Sequence, residues 1–422
     1  MRRSLPLVLC ALLACGTPEA DGAGDVTAGT TPILPDTQTV DGVLVMRHGA
    51  DAFERAPRWT LEATPSVVID GGAEHDLSYV FRPVPLSDGR MVALRNMGEV
   101  AAMLFGADGT FERNLATGGS GPGEIRSAAE PIVLPGDTIV LVDGASSRVN
   151  WYHPDSGFVR SEPVPATSGP TCFDATGRLA DGRFVATSNC SSHRRNADGT
   201  LRAETPLLVF GLGYVDADTV AFVPGSRMAM MEMRQGDRRF EVARWVRFGQ
   251  YTTVTAVDST IVLADGVGGY VLRLLTPAGV ERGRIEVARP AVPVSDALRE
   301  RVIGEQVRQL EERTGGEQMA ITMDEARREI LEEPTADTLP AYGQVVPGAD
   351  GTFWVTDYIA LGDSTWAATA FRLDGTILGR VTGHRHNEGG GSGPVWFGRD
   401  RIIVRELDED GVVRFGVYRV GR

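Results

Sequence analysis

From about Val40 to the C-terminus, apolar and polar residues alternate in short runs of period two, and each run is bounded by Asp, Gly or Pro. One sentence repeats: an Asp/Gly turn, a β-rich run, a polar loop, a second run, a tight Gly turn, a third run. Ser87-Asp88-Gly89-Arg90 leads into 91–94, 100–105 and 110–115, and Pro135-Gly136-Asp137 leads into 138–142, 148–152 and 158–160. Asp181-Gly182 leads into 183–187, with 206–210 after it, and Asp258 opens 261–264, 270–275 and 280–287. Asp350-Gly351 opens 352–356, 367–373 and 376–381, and Arg399-Asp400 opens 402–404 and 412–420. Six such units, each able to form one four-stranded antiparallel sheet, predict an all-β chain folded as a six-bladed β-propeller. A β-sandwich or two smaller β domains is the competing arrangement. The sixth unit stops after its third strand, and 59–69 (WTLEATPSVVI) is the segment that supplies the missing one. Without it the ring would present two unpaired sheet edges.

One stretch breaks the rhythm. Leu298, Val302, Val307 and Leu310 recur at helical spacing among Glu and Arg, and Thr322-Met323-Asp324-Glu325 reads as a capping box opening a second helix that Pro334 ends. Blades flank this stretch, so about 295–334 is a helical insertion on one face of the ring.

The N-terminus reads differently. Arg2 and Arg3 precede an apolar run, 5–14 (LPLVLCALLA), too short to span a bilayer and typical of an export signal. Leu12-Leu13-Ala14-Cys15-Gly16 resembles the lipobox of bacterial lipoproteins. That resemblance implies cleavage before Cys15, lipidation of its thiol, and tethering in the cell envelope, with Gly16 leaning towards the outer membrane. Residues 16–36 are rich in Gly, Thr, Ala, Pro and Asp and offer little to bury. The expected organisation is a signal peptide at 1–14, a lipidated flexible linker at 15–36, and the propeller at 37–422.

Charge narrows the partners. The formal net charge of −14 becomes −16 once residues 1–14, with two arginines and no acid, are removed. An acidic body argues against nucleic acid, and leaves the lipid anchor as the contact with a membrane. All 42 basic residues are arginine, so neither a Schiff-base lysine nor a P-loop lysine exists. Apart from Cys10 in the signal and Cys15, the thiols are Cys172 and Cys190. In an oxidising compartment this pair reads as a disulfide across a hairpin turning at 179–183.

The stretch Gly118-Gly119-Ser120-Gly121-Pro122-Gly123-Glu124-Ile125, then a strand, Asp143 and Arg148-Val149, is similar to six-bladed β-propeller lipoproteins with NHL-type blades. A weaker copy of the loop stands at Gly390-Gly391-Ser392-Gly393-Pro394. The resemblance covers roughly 59–420 and implies a fold and a location rather than an activity.

Chemistry is sparse. The Gly-rich loop runs into a strand rather than a helix N-terminus, which favours an inter-blade crossing over phosphate binding. His384-Arg385-His386 places two imidazoles on one strand face, a metal-ligand spacing set in a glycine-rich loop. Met228, Met230, Met231 and Met233 suit packing better than copper(I). Asp143, Asn189 and Asp357 end comparable strands (VLVD, VATSN, WVTD) and approach one end of the ring. Lactonase-type propellers hold a divalent cation such as calcium with residues so placed, but the same side chains also cap strand-end backbone groups. The expectation is a lipid-anchored propeller without a cofactor that binds a protein or small-molecule ligand. The alternative is a metal-dependent hydrolase or lactonase working in the channel.

Overall fold

Each Asp-Gly turn makes a hairpin for a local reason. The Asp carboxylate accepts the backbone N–H two residues on, as Asp88 does from Arg90 (3.0 Å), Asp108 from Thr110 (3.0 Å) and Asp181 from Arg183 (3.0 Å). Gly89 then takes φ 91°, a conformation that costs a residue without Cβ little. A computed structural model of the chain describes residues 31–422, except 73–74, 81, 97, 129, 164–172, 189–191, 196–199, 212–216, 236–237, 314–321, 386–391 and 409.

Among these residues the strands group into six antiparallel four-stranded units. Unit 1 is Val84–Pro85, Met91–Arg95, Ala101–Phe105 and Phe111–Thr117; unit 2 is Ile132–Leu134, Thr138–Asp143, Arg148–His153 and Gly157–Pro163. Unit 3 is Phe173–Arg178, Phe184–Ser188, Thr200–Phe210 and Ala217–Gln235; unit 4 is Thr253–Val257, Thr260–Ala264, Tyr270–Leu275 and Glu281–Val287. Unit 5 is Val345–Pro347, Thr352–Thr356, Thr365–Arg372 and Ile377–His384. Unit 6 takes Gly393–Phe397, Arg401–Leu407 and Val413–Gly421 from the C-terminus and Val67–Ile69 from the N-terminus.

Period two gives every sheet two apolar faces, and each face packs on the next sheet. In unit 1, Val92, Leu94 and Leu104 meet Ile139 and Leu141 of unit 2, while Met91, Ala93 and Met103 meet Ile403 and Phe415 of unit 6. Val140 and Trp151 meet Phe184 and Leu208; Val185 and Val209 meet Ile261 and Leu263. Val262 and Leu272 meet Phe353 and Phe371, and Trp354 and Ala368 meet Phe397 and Ile402. The sixth interface returns to the first sheet, so the cores close a ring. This is an all-β propeller.

Closure uses the N-terminal segment, as the incomplete sixth unit requires. Val67, Val68 and Ile69 pair antiparallel with Val417, Gly416 and Phe415. Upstream, Trp59 pairs in parallel with Val381 of unit 5, while Thr60 and Leu61 pair with Gly421 and Val420 of unit 6. The Trp59 indole lies edge-on to Trp354 at 5.4 Å, between the two sheets.

Two additions were not apparent in the repeat. Asp36–Val40 and Val43–His48 form a hairpin whose second strand runs parallel to Glu281–Val287 and widens unit 4 to six strands. In unit 3, Ala217–Gln235 continues past the ring and pairs with Arg238–Trp245, making a long ribbon. The Met228–Met231 stretch lies in this ribbon, half-buried at Met228, Met230 and Met231. The helical insertion comprises Asp296–Arg313 and Met323–Glu332. At its second helix the Thr322 hydroxyl accepts from Glu325 N, and the Glu325 carboxylate accepts from Thr322 N. No described helix is long and apolar enough to cross a membrane.

Candidate functional site

Antiparallel order sorts the connections by end. First-to-second and third-to-fourth turns, the short Asp-Gly ones, lie at one end of the ring. Second-to-third loops and the links between units lie at the other. The linking end therefore collects the Gly-rich loop at 118–125, the end of each second strand, the unit 3 ribbon and the helical insertion.

Asp143 and Asp357 sit at this end, each at or just past the end of its second strand, and each is fully engaged. Asp143 is buried, and its carboxylate accepts from Arg126 N (3.0 Å), Ser127 N (3.1 Å) and Ser146 N (3.2 Å), with Arg148 Nε at 3.8 Å. Arg148 donates to Ser120 O (3.1 Å) and Glu124 O (2.6 Å), Asn150 donates to Glu124 O (3.2 Å), and the Tyr152 hydroxyl donates to Gly123 O (3.2 Å). The Gly-rich loop is thus strapped onto unit 2 by the side chains of the strand-Asp-loop-Arg pattern. Its carbonyls face donors of the protein, and Gly123 (φ 77°) lies so close to Phe158 that a Cβ would come within 2.8 Å of the ring. Asp265, at the corresponding position in unit 4, caps Val267 N (2.8 Å) and pairs with Arg273 (3.4 Å).

Asp357 faces two guanidiniums. Arg380 reaches it through two nitrogens (3.2 and 2.5 Å) and Arg289 through two (both 3.3 Å). Burial opposes ionisation of Asp357, but the arginines, Arg380 foremost, outweigh it and hold the carboxyl below the ordinary carboxylate range. Both guanidiniums also lie over the Phe53 ring, at 5.6 Å for Arg289 and 5.1 Å for Arg380. Asn189, Cys172, Cys190 and His386 lie outside the described residues, as does Cys15. Among the described residues no group of three His, Cys, Asp or Glu side chains is arranged to hold a metal.

The insertion and the ribbon form a lobe over this end. Val246 and Phe248, on the ribbon's return to the ring, pack with Val294 and Ala336 and against Leu298, Val302 and Leu339. Arg247 staples the two together, its buried guanidinium donating to Gln306 Oε1 (2.7 Å), Glu333 Oε2 (2.7 Å) and Ile330 O (2.9 Å). Beneath the lobe lies a cavity of about 420 Å³ bounded by Arg227 of the ribbon, 248–250, the unit 4 loop ending at Tyr270, 289–292, Ala336, 338–341 and Tyr358. That volume falls within the range of about 300–1,000 Å³ usual for small-molecule sites. Phe248 holds φ 59° here, a strained setting for a bulky residue. A second cavity of about 570 Å³ shares Arg289, Pro290, Val292 and Tyr358 with the first and continues to Phe53, Asp357 and Arg380. A third, of about 320 Å³, is polar and lies among the inner strands, with Thr176, Thr253, Thr255 and Gln344 and the Arg82–Glu130 ion pair (2.5 Å) in its wall.

No family model and no curated protein sequence matches this chain. Among solved structures, the chain is similar to a Bacteroides fragilis protein described as exported, at 10% identity over 90% of this chain and 99% of that one, with a TM-score of 0.45. It is similar to a Xanthomonas campestris gluconolactonase at 11% identity, over 94% and 99% of the two chains, with a TM-score of 0.43. Virginiamycin B lyase from Staphylococcus aureus matches at 8% identity, over 84% and 98%, with a TM-score of 0.40. With every TM-score below 0.5, these likenesses carry no functional argument. The functional reading rests on the lobe and the cavities beneath it.

Proposed function

We propose that this chain is a lipid-anchored protein of the bacterial cell envelope, with an NHL-type six-bladed ring that binds a ligand between the ring and its lobe. The observation that carries this reading is the pair of adjoining cavities under the lobe. They are the place where the ribbon, the insertion and two units converge without filling the space. The outer-membrane anchor rests on the signal and Cys15, and supplies a location rather than an activity. A divalent cation held by the strand-end carboxylates draws no support, since Asp143 is taken by three backbone N–H groups and Asp357 by two guanidiniums.

Two measurements test the reading. Cys15→Ser should release the processed domain from membranes or leave the signal uncleaved; normal membrane fractionation with normal cleavage of that variant would overturn the anchor. For the site, a thermal-shift screen of small metabolites should yield hits that Ala291→Trp, which narrows the cavity mouth, abolishes. Hits unaffected by that substitution would place binding elsewhere.

A further inference from the structure

The geometry points to an anionic small molecule with an apolar body as the occupant of the cavity under the lobe, with Arg227, Arg289 and Tyr270 holding its charged head. This deepens the binding role proposed above and rests on it. Among the described residues the cavity wall contains two guanidiniums, Arg227 and Arg289, and no carboxylate. Arg227 has no ion pair or side-chain hydrogen bond among the described residues. Arg289 shares its single acidic partner, Asp357, with Arg380, so two cations meet one anion at the cavity edge. Arg289 is partly buried, where a surplus positive charge is costly unless an anion joins it, and the exposed Arg227 adds a second cation to the same wall.

A separate observation points to the same place. Tyr270 lines this cavity, the residue is 2% exposed, and its buried hydroxyl oxygen has no hydrogen-bond partner among the described residues. Leaving such a group unsatisfied costs about 1–3 kcal/mol. Its ring is fixed between Phe53 and Tyr342, each 5.2 Å away, so the hydroxyl cannot swing out to water. A ligand oxygen would satisfy it. Phe248, Pro290, Val292 and Leu339 give the wall an apolar part beside the polar Gln250 and Thr338, which suits a hydrocarbon or aromatic body rather than a bare inorganic anion.

The test uses the purified full-length chain. The probes are anilinonaphthalenesulfonate and its uncharged counterpart N-phenylnaphthylamine, read by fluorescence. The sulfonate should bind saturably at one site and more tightly than the neutral amine. Arg227→Gln and Arg289→Gln should each weaken the sulfonate roughly tenfold or more, the scale of one charge-assisted hydrogen bond, with little effect on the amine. Arg227 is exposed and unpaired, so Arg227→Gln remains decisive even if Arg289→Gln disturbs the fold. Tyr270→Phe should melt as the parent does and still weaken the sulfonate. Equal affinity for both probes, or unchanged sulfonate binding in Arg227→Gln, would overturn the inference. If Ala291→Trp still blocks both probes in that case, the cavity stands as a binding site and only its charge preference falls. If Ala291→Trp blocks neither, the site itself is wrong.

Discussion

Ring closure by the N-terminal strand makes a quantitative prediction at Ile69. This side chain is fully buried, sits on the strand paired with Phe415–Val417, and packs against Met91, Met103 and Phe415 across the seam between the last sheet and the first. Ile69→Ala removes three carbons. At about 0.8 kcal/mol per buried methylene the transfer loss is about 2.4 kcal/mol. The seam is lined by strands tied on both sides, so it closes only partly around the void, and the cavity adds to that loss. The expected destabilisation is about 3–4 kcal/mol. Urea unfolding of residues 31–422, followed by tryptophan fluorescence, measures it, because Trp354 and Trp366 report on the neighbouring sheet interface. Leu34→Ala, at a residue 76% exposed, is the control and should change stability by less than about 0.5 kcal/mol. A change at Ile69 below about 1 kcal/mol would mean that the seam is not held by this strand, and the closed ring would have to be abandoned. A lowered slope with an unchanged midpoint would point instead to loss of cooperativity at the seam.

Other outcomes follow from the same geometry. Asp143→Ala strands three backbone N–H groups in a buried site and should cost about 2–4 kcal/mol by urea unfolding, while an equal stability would mean that the Gly-rich loop is held by something else. Asp357 has a depressed folded pKa, so its contribution is present above the ordinary carboxylate pKa and is lost as pH falls through the lower folded value. Stability should therefore drop as pH falls below the ordinary carboxylate pKa, and Asp357→Asn should flatten the profile there; an identical slope in the variant would refute the pairing. Cys172 and Cys190 should titrate as no free thiol in exported protein, and reduction should lower the melting temperature; their described neighbours Phe173 and Ser188 are paired across the hairpin that turns at 179–183.

The second and third strands of most units were legible because both their faces are buried, and the fourth because an Asp-Gly or similar turn precedes each. The first strands were not. Val84–Pro85 is two residues long, and Ile132–Leu134 and Val345–Pro347 three each, too short to show a period. The ribbon at 217–245 was masked by its own chemistry. Beyond the ring a strand is flanked by solvent and by the lobe, and RMAMMEMRQ reads as a methionine cluster rather than a strand. The hairpin at 36–48 did carry a signal: Asp41 and Gly42 take φ 51° and 82°, the paired left-handed turn that Asp-Gly favours. Nothing local announces the cavity, whose wall is drawn from segments between Arg227 and Tyr358.

The residues that looked most like a site and the residues that form the cavity are different sets, and one physical reason accounts for both. A propeller exposes backbone at every strand end on the linking face, and those N–H and C=O groups must be paired where they are buried. Asp143 and Asp265 do that work with carboxylates, while Arg148 does it with a guanidinium. Because every unit meets the same need, the solution repeats and becomes visible as a motif. A binding cavity is made once, so it leaves no repeat. Here it arises where the rhythm fails: at the over-long strand of unit 3, at the helical insertion after unit 4, and at Asp357. Asp143 lies beside Arg148 and Asp265 beside Arg273, while Asp357 faces two arginines, one of which opens onto the cavity. In this chain it is the departures from the repeat, and not the repeat's own polar residues, that border the cavities.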